Sequence, residues 1–163
     1  MKLITECIKN RSAKINPIWL MRQAGRYLPE FREIRSKNTD FIKLCLNKNL
    51  SREITLQPVK RFNFDAAIIF SDILMLPYGI GQKVEFKKNF GPLLGDLDLL
   101  KLSEVKEDDF IKKLSPVYDA IKNVKQDPLL KDKDVIGFTG APWTILVYML
   151  NKQSPKKQLN NEI

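Results

Sequence analysis

Two arginines follow the first apolar run of the chain at a spacing that suits anion binding. The sequence reads Met21-Arg22-Gln23-Ala24-Gly25-Arg26-Tyr27, so the two guanidinium groups lie four residues apart. Guanidinium groups bind carboxylates and phosphates through paired, charge-assisted hydrogen bonds, whereas two unpaired cations at one pocket mouth repel each other. The pair therefore predicts a polycarboxylate or phosphate ligand, unless Arg22 and Arg26 form salt bridges with acids such as Glu30 or Glu33.

A single carboxylate follows the next apolar run. The residues from Ala66 to Phe70 are all apolar, and Ser71 and Asp72 come directly after them. This pattern is typical of a strand that is buried on both faces in a parallel sheet. At the end of such a strand, Asp72 either caps the N-terminus of a following helix or accepts hydrogen bonds from a ligand and stabilises developing positive charge.

A third apolar run, Asp134 to Phe138, leads into Thr139-Gly140-Ala141-Pro142-Trp143. The glycines permit close approach of another group, and Pro142 suits the first turn of a helix. Tyr148 lies six residues beyond Pro142, which is about 9 Å along a helix axis. Its hydroxyl either reaches a ligand or anchors the side chain in the core.

Apolar periodicity predicts the elements that must position these residues. The sequence predicts a buried strand from Ile15 to Met21 with Pro17 near its start, a polar connection after it, and one or two helices within residues 39–62. Thr39 and Ser51 are the candidate N-caps of those helices.

The pattern continues in the second half of the chain. The residues from Pro77 to Gly81 predict a loop, and residues 83–86 alternate like an exposed strand before a turn around Gly91-Pro92. A helical stripe spans residues 103–125 with Pro116 as a kink or break, and a second apolar helix is expected over residues 142–150. Alternating strands and helices predict an α/β fold, either a doubly wound sheet or a (β/α)₈ barrel, with the chemistry at the carboxyl ends of the strands.

Composition excludes several classes of site. At 163 residues, the chain fits one domain spanning 1–163. With no histidine and only Cys7 and Cys45, it lacks the usual zinc ligands and any triad with a histidine base. We therefore expect no metal. Because no residue run has the apolar length of a membrane span or a signal peptide, we expect a cytoplasmic protein with no membrane partner.

The net charge of +9 raises the possibility of nucleic-acid binding. All seven arginines lie before residue 62, whereas the lysines of the later half are almost balanced by acids. No pattern of interleaved aromatic and basic residues is present. We therefore expect no nucleic-acid partner and interpret most lysines as a solvated surface.

Three segments resemble one known family. The segment from Pro17 to Pro29, PIWLMRQAGRYLP, closely resembles the N-terminal motif of the uroporphyrinogen decarboxylases. The segments DAAIIFSDIL, from Asp65 to Leu74, and GFTGAPWTILVY, from Gly137 to Tyr148, resemble the next two blocks of that family, in order and at suitable spacing. The resemblance covers about residues 15–150 and corresponds to the N-terminal portion of the family's (β/α)₈ barrel.

The resemblance implies cofactor-free decarboxylation of the four acetate side chains of uroporphyrinogen III to methyl groups, which gives coproporphyrinogen III in haem biosynthesis. In this interpretation Asp72 is catalytic and accepts hydrogen bonds from the pyrrole N–H groups. The substrate-binding residues implied are Arg22, Gln23, Ala24, Gly25, Arg26, Asp72 and Tyr148. The resemblance also implies a homodimer, and whether 163 residues suffice to form it stays open.

The chain departs from the family in two respects. The family also places a serine and a histidine from the later half of its barrel in the pocket, and this chain has no histidine. Met149 to Lys152 also differ from the small or acidic residue and the glycine of the family pattern. We expect an incomplete barrel of about three βα units with weak or no activity alone, because three strands cannot close a barrel. The alternative is an inactive, basic binding or interaction module.

Overall fold

The computed structural model describes residues 2–11, 15–87 and 89–154. These residues fall into two compact units, the first within Met1–Thr39, Lys43–Ser71 and Pro116–Phe138, the second within Asp40–Ile42, Asp72–Ser115 and Thr139–Ile163. In chain order the elements are α1 (Leu3–Asn10), α2 (Pro29–Lys37), α3 (Phe41–Cys45), α4 (Lys48–Phe62), β1 (Ala66–Ile68), α5 (Met75–Gly79), β2 (Val84–Lys87), β3 (Gly91–Leu94), α6 (Leu99–Ser103), α7 (Glu107–Lys125), a 3₁₀ turn (Pro128–Leu130), β4 (Asp134–Ile136) and α8 (Pro142–Asn151).

The first unit is built on a parallel pair of strands. Strand β1 pairs with β4 in the register Ala67 opposite Val135. Apolar side chains from α4, β1, the C-terminal part of α7 and the 3₁₀ turn form one core against this pair: Leu56, Val59, Ala67, Ile69, Ala120, Val124 and Leu130. A second cluster, Leu28, Phe31, Leu44 and Ile54, packs α2 against α3 and α4. These two clusters hold α4 against β1 and α7 and against α2 and α3.

Helix α4 begins and ends at asparagines. The side chain of Asn47 accepts hydrogen bonds from the backbone N–H groups of Asn49 and Leu50, which satisfies two donors of the first turn. Asn63 ends the helix in the left-handed conformation, with φ of 53°. The predicted helices over residues 39–62 are confirmed, but Ser51 as an N-cap is wrong, because Ser51 lies inside α4 and is buried.

The N-terminus of α1 is capped by Asp134, the first residue of β4. Asp134, which is 8% exposed, accepts hydrogen bonds from the backbone N–H groups of Ile4 (3.1 Å) and Thr5 (3.2 Å). Its other oxygen accepts a bond from the Thr5 hydroxyl at 2.5 Å. A carboxylate is favourable here because the free N–H groups and the positive end of the helix dipole face it. Asp134 thereby fastens α1 to β4.

The predicted strand from Ile15 to Met21 is wrong. The segment contains no strand, and its backbone contact with the start of β1 is limited to Ile18, which donates to the Asp65 carboxylate at 2.7 Å and accepts from the Asp65 N–H at 2.9 Å. Pro17 has no N–H to donate to a ladder. The apolar side chains are correspondingly exposed, 61% for Ile18 and 70% for Met21.

The predicted polar connection after Met21 is only partly correct, because it contains α2. Helix α2 has Pro29 at its first turn. Proline is favoured there because its missing N–H has no helical partner in any case and its φ is preset for a helix. Phe31 of α2 is buried against the core. The signal was therefore in the sequence, in the proline followed by Phe31 and Ile34.

The second unit contains an antiparallel hairpin and short helices. Strands β2 and β3 pair with Val84 opposite Leu94 and Lys87 opposite Gly91. The exposed strand over residues 83–86 is confirmed in essence. The turn around Gly91-Pro92 is confirmed as well, since the turn residues Asn89 and Phe90 directly precede Gly91, the first residue of β3. The predicted loop from Pro77 to Gly81 is largely the helix α5, in which Gly79 packs against α7. Within this unit Gln82 donates to the carbonyls of Gly95 and Met149.

The predicted long helix is confirmed as α7, and Pro116 does not break it. The strands β1 and β4 are confirmed at the predicted places, although each is three residues long and shorter than predicted. The mixed α/β class is therefore confirmed. Among the described residues, the helices are too short or too polar to cross a bilayer.

Replacing Asp134 tests the link between α1 and β4. Asp134→Ala removes three hydrogen bonds to one buried carboxylate, and we expect the free energy of unfolding to fall by about 1.5–3 kcal/mol. Urea denaturation measures this change. The control is Asp119→Ala, which removes an exposed ion pair with Lys48 and should change stability much less. Equal losses in the two variants would contradict the role given to Asp134.

Candidate functional site

The loop from Arg22 to Arg26 is held in place by its own hydrogen bonds and by its neighbours. The Tyr27 hydroxyl donates to the carbonyl of Gln23, and the Leu28 N–H donates to the carbonyl of Gly25 at 3.0 Å. Leu28 is buried in the cluster beside α2. The Tyr27 ring stacks against Phe62 of α4, with centroids 6.4 Å apart. The C-terminal side of the loop is therefore fixed to the first unit.

Gln23 anchors the middle of this loop to β1. Its side chain is 2% exposed. The amide Nε2 donates to the carbonyl of Ala66 at 2.9 Å, and the amide Oε1 accepts from the Ile68 N–H at 3.2 Å. Both polar atoms of the side-chain amide thus bond to β1, although the sequence analysis places Gln23 among the substrate-binding residues.

The two guanidinium groups at the ends of the loop are exposed. The salt bridges that the sequence left open for them do not form. Glu30 pairs with Arg61 through two hydrogen bonds, of 3.0 and 2.9 Å, and Glu33 pairs with a lysine of its own helix. The bonds from Arg61 lower the pKa of Glu30. Within the part of the chain that the structure describes, Arg22 and Arg26 have no acidic partner.

The chain leaves β1 through a clamp of hydroxyl groups on α4. The Thr55 hydroxyl accepts the Phe70 N–H at 2.8 Å and donates to the carbonyl of Ser51 at 2.7 Å. The Ser51 hydroxyl donates to the carbonyl of Phe70 at 2.7 Å. Both backbone polar groups of Phe70 are therefore held by side chains four residues apart on one helix face. Sequence reasoning missed this clamp, and the signal was the Ser51 and Thr55 spacing.

Asp72 begins the second unit in a tight turn. Its Oδ1 accepts the Leu74 N–H at 2.8 Å, and its carbonyl accepts the Met75 N–H at 3.1 Å. This is an Asx-turn before α5, whose N-cap is Leu74, so the N-cap alternative for Asp72 is wrong. Burial raises the pKa of Asp72, and the bond from Leu74 offsets part of that shift. Among the described residues no cation pairs with this carboxylate.

The segment from Thr139 to Trp143 leads into α8. Pro142 lies in the first turn of this helix, as predicted. Gly140 is required by packing. A Cβ there would lie 2.4 Å from Cδ1 of Ile145 and 3.2 Å from Cβ of Ile73. Ile73 is the neighbour of Asp72, so this contact ties the Asp72 turn to the start of α8. Tyr148 of α8 is half-buried, and its hydroxyl lies 3.4 Å from the Ser154 hydroxyl.

The predicted site residues thus divide between the two units. Arg22, Gln23, Ala24, Gly25 and Arg26 belong to the first unit, and Asp72 and Tyr148 belong to the second. Each group is held by contacts inside its own unit. The described residues contain no cluster of three or more His, Cys, Asp or Glu side chains placed to hold a metal ion.

A family model matches nearly the whole chain. The model of the family described as uroporphyrinogen decarboxylase (URO-D) matches residues 1–161. The chain belongs to the uroporphyrinogen decarboxylase family. Its predicted membership is therefore confirmed.

Curated relatives in this family carry the same name. The uroporphyrinogen decarboxylase of Rickettsia felis is 48% identical over 150 residues, which cover 92% of this chain and 43% of the relative. The uroporphyrinogen decarboxylase of Chelativorans sp. is 43% identical over 147 residues, covering 90% of this chain and 43% of the relative. That of Brucella ovis is 46% identical over 134 residues. This chain therefore spans less than half the length of these uroporphyrinogen decarboxylases.

The close packing of Gly140 predicts the effect of adding one methyl group to this uroporphyrinogen decarboxylase family member. Gly140→Ala must displace Ile145 or Ile73, and we expect the free energy of unfolding to fall by about 1–3 kcal/mol. Gly137→Ala is the matched control, since a Cβ at Gly137 meets no atom within 4 Å. Thermal denaturation of both variants measures the difference. A stable Gly140→Ala variant would show that the Asp72 turn is not packed against α8 as described.

The environment of Asp72 predicts how its charge affects stability. A raised pKa in the folded state means that ionisation costs stability, and the cost appears as the pH rises above the ordinary aspartate pKa. Asp72→Asn removes the charge and keeps an oxygen for the Leu74 N–H. At neutral pH we therefore expect this variant to be at least as stable as wild type, with the gain vanishing in acid.

Asp72→Ala serves as the comparison, because it also loses the turn and should be less stable by about 1 kcal/mol at neutral pH. Urea denaturation at neutral and acidic pH distinguishes the two variants. If Asp72→Asn were as destabilised as Asp72→Ala, the negative charge of Asp72 would stabilise the fold, which would contradict the cost of ionisation inferred from its raised pKa.

Proposed function

We propose that this chain binds uroporphyrinogen III and acts in the decarboxylation of its four acetate side chains to methyl groups, which gives coproporphyrinogen III for haem synthesis. The observation that carries the proposal is the pair of exposed guanidinium groups on a fixed loop. Arg22 and Arg26 lack acidic partners in the described residues, while Glu30 and Glu33 pair with other cations. An acidic tetrapyrrole supplies the carboxylates that such a pair requires.

The roles of the two arginines follow from their position. They bind substrate carboxylates, while Ala24 and Gly25 contribute backbone between them. Because the loop is fastened at Gln23 and Leu28, the backbone that carries the two arginines is ordered before the substrate arrives. Such preorganisation reduces the ordering cost of binding.

Asp72 is the proposed catalytic residue. Loss of carbon dioxide breaks the bond between the carboxylate and the CH₂ of an acetate arm, and the electron pair enters a pyrrole ring that has first been protonated. The CH₂ carbon then takes up a proton and the ring gives up the proton it had gained, which leaves a methyl group on the restored pyrrole. The proposed role of Asp72 is to accept hydrogen bonds from pyrrole N–H groups and to stabilise the positive charge of that protonated ring. A carboxylate whose ionised form is poorly solvated interacts strongly with such a charge. The ring is the electron sink, so the reaction needs no cofactor, and Tyr148 is proposed to hydrogen-bond near the reacting arm.

We further propose that the described elements are the N-terminal part of a (β/α)₈ barrel that forms one domain. The support is the parallel pairing of β1 with β4, with helix α7 on the chain between them, as in a βα unit. The family match over residues 1–161 supports a single domain. A cytoplasmic location and a family-type homodimer belong to the same proposal.

Substitution of the two arginines tests the binding role. We expect Arg22→Ala and Arg26→Ala each to weaken the binding of uroporphyrin, the oxidised and coloured form of the proposed substrate, by about tenfold or more, because each removes a charged hydrogen-bonding group. Arg61→Ala is the control, since it changes net charge equally but removes a guanidinium already paired with Glu30. Fluorescence titration measures the affinities. Equal weakening in all three variants would indicate a general charge effect and count against the site.

Turnover tests the catalytic role of Asp72. Purified protein is incubated with uroporphyrinogen III without oxygen, and the products are separated by chromatography. We expect any rate of coproporphyrinogen formation to fall by about 10²–10³ in Asp72→Asn, by analogy with the loss of one electrostatic stabiliser. An unchanged rate would remove Asp72 from the mechanism. Uroporphyrin binding without turnover by the wild-type chain would instead favour the alternative of a binding module without catalysis.

A further inference from the structure

The side chain of Gln23 occupies the position of a residue in a neighbouring strand. A residue on a parallel neighbour donates its N–H to one carbonyl and accepts an N–H two residues later on the same strand edge. The Gln23 amide makes this pattern on β1, with Nε2 donating to Ala66 and Oε1 accepting from Ile68. Strand β4 pairs along the other edge, where Ile69 donates to the carbonyl of Ile136 at 3.0 Å. One side chain thus replaces a strand residue opposite Ala67.

This arrangement requires a glutamine. The site needs one donor and one acceptor on the same planar group, with the spacing that a peptide group has, and the side-chain amides of glutamine and asparagine supply this. Asparagine is one methylene shorter. A glutamate would place an ionised acceptor against the Ala66 carbonyl, and a leucine would leave both backbone groups without partners in a place where Gln23 is 2% exposed.

Gln23 is also occupied on its backbone side. Its carbonyl accepts the Tyr27 hydroxyl. Its side-chain amide and carbonyl oxygen therefore serve the protein, and Arg22 precedes it while Arg26 follows three residues later. The fixed point of the loop lies between the two exposed guanidinium groups.

We propose that Gln23 is a positioning residue whose side chain never contacts the ligand and which sets polycarboxylate affinity by holding Arg22 and Arg26 on the edge of β1. This inference rests on the proposed function, because it assumes that the two arginines bind carboxylates. The inference replaces direct substrate contact by the Gln23 side chain with an indirect, positioning role. The side chain is buried and its amide already bonds to Ala66 and Ile68, so turning it toward a substrate would break both hydrogen bonds.

The test uses Gln23→Met, which keeps the length and volume of the side chain and removes both hydrogen bonds. We expect uroporphyrin affinity to fall by about tenfold, corresponding to about 1.4 kcal/mol. The same substitution in the Arg22→Ala/Arg26→Ala background should change affinity by less than about twofold, because Gln23 acts through those arginines. Gln57→Met is the matched control: Gln57 is also buried in the first unit, at 6% exposure, but its amide has no hydrogen-bond partner among the described residues.

Two results would overturn the inference. An equal loss in both backgrounds means that Gln23 contacts the ligand directly. Unchanged affinity of folded Gln23→Met means that its role is confined to stability. If the wild-type protein does not bind uroporphyrin at all, the proposed function fails and the inference fails with it. If the wild type binds uroporphyrin but Gln23→Met gives either of the two results above, the inference alone fails.

A measurement on the wild-type protein keeps the inference testable if Gln23→Met does not fold. The Ile68 amide should be protected from hydrogen exchange before any ligand is added, because Gln23 already accepts its hydrogen. Protection that appears only on addition of uroporphyrin would mean that the loop is positioned by the ligand and would overturn the inference.

Discussion

Strand β1 has a partner strand along one edge, and the backbone groups of its other edge must be satisfied in another way. Buried N–H and C=O groups without partners are costly, so a three-residue strand in a two-stranded sheet depends on side chains from other elements. In the described part of the chain these side chains are Gln23 along the edge of β1, and Thr55 with Ser51 just beyond its end. The contacts of Gln23 also fix the loop that carries the arginines.

Charge pairing determines what this loop can bind. The acids near it in sequence are held by Arg61 and Lys37, and these pairs leave Arg22 and Arg26 exposed without acids among the described residues. What the loop can bind therefore depends on which of its cations lack an acidic partner and less on the total positive charge of the chain. In the second unit Asp72 is an unpaired group of the opposite charge. Burial raises the pKa of this carboxyl, and no cation among the described residues lies beside it. Unpaired charges of this kind are typical of ligand sites.

Several elements could be predicted from local pattern alone. The 3.6-residue stripe gave α7, the continuous apolar runs gave β1 and β4, and Pro142 marked the start of α8. The segment from Ile15 to Met21 has the same apolar character as β1 but forms no strand. A strand requires a partner strand, and among the described residues only Ile18 of this segment pairs its backbone with Asp65. The apolar composition of this segment therefore predicted a buried strand, but without a partner strand its side chains stay exposed.

By itself the sequence determined the α/β class, the family and the residue types of the candidate site, because these depend on periodicity and on motifs within short segments. Tertiary structure alone decided which charges are paired and which polar groups are used. Glu30 is near Arg26 in sequence, but in the fold it pairs with Arg61 of α4. Nothing in the sequence indicates that the side-chain amide of Gln23 bonds to Ala66 and Ile68 of β1. Gly140 suggested an open approach and proved to be closely packed against Ile145. Each of these outcomes depends on contacts between residues distant in sequence, which local spacing does not encode.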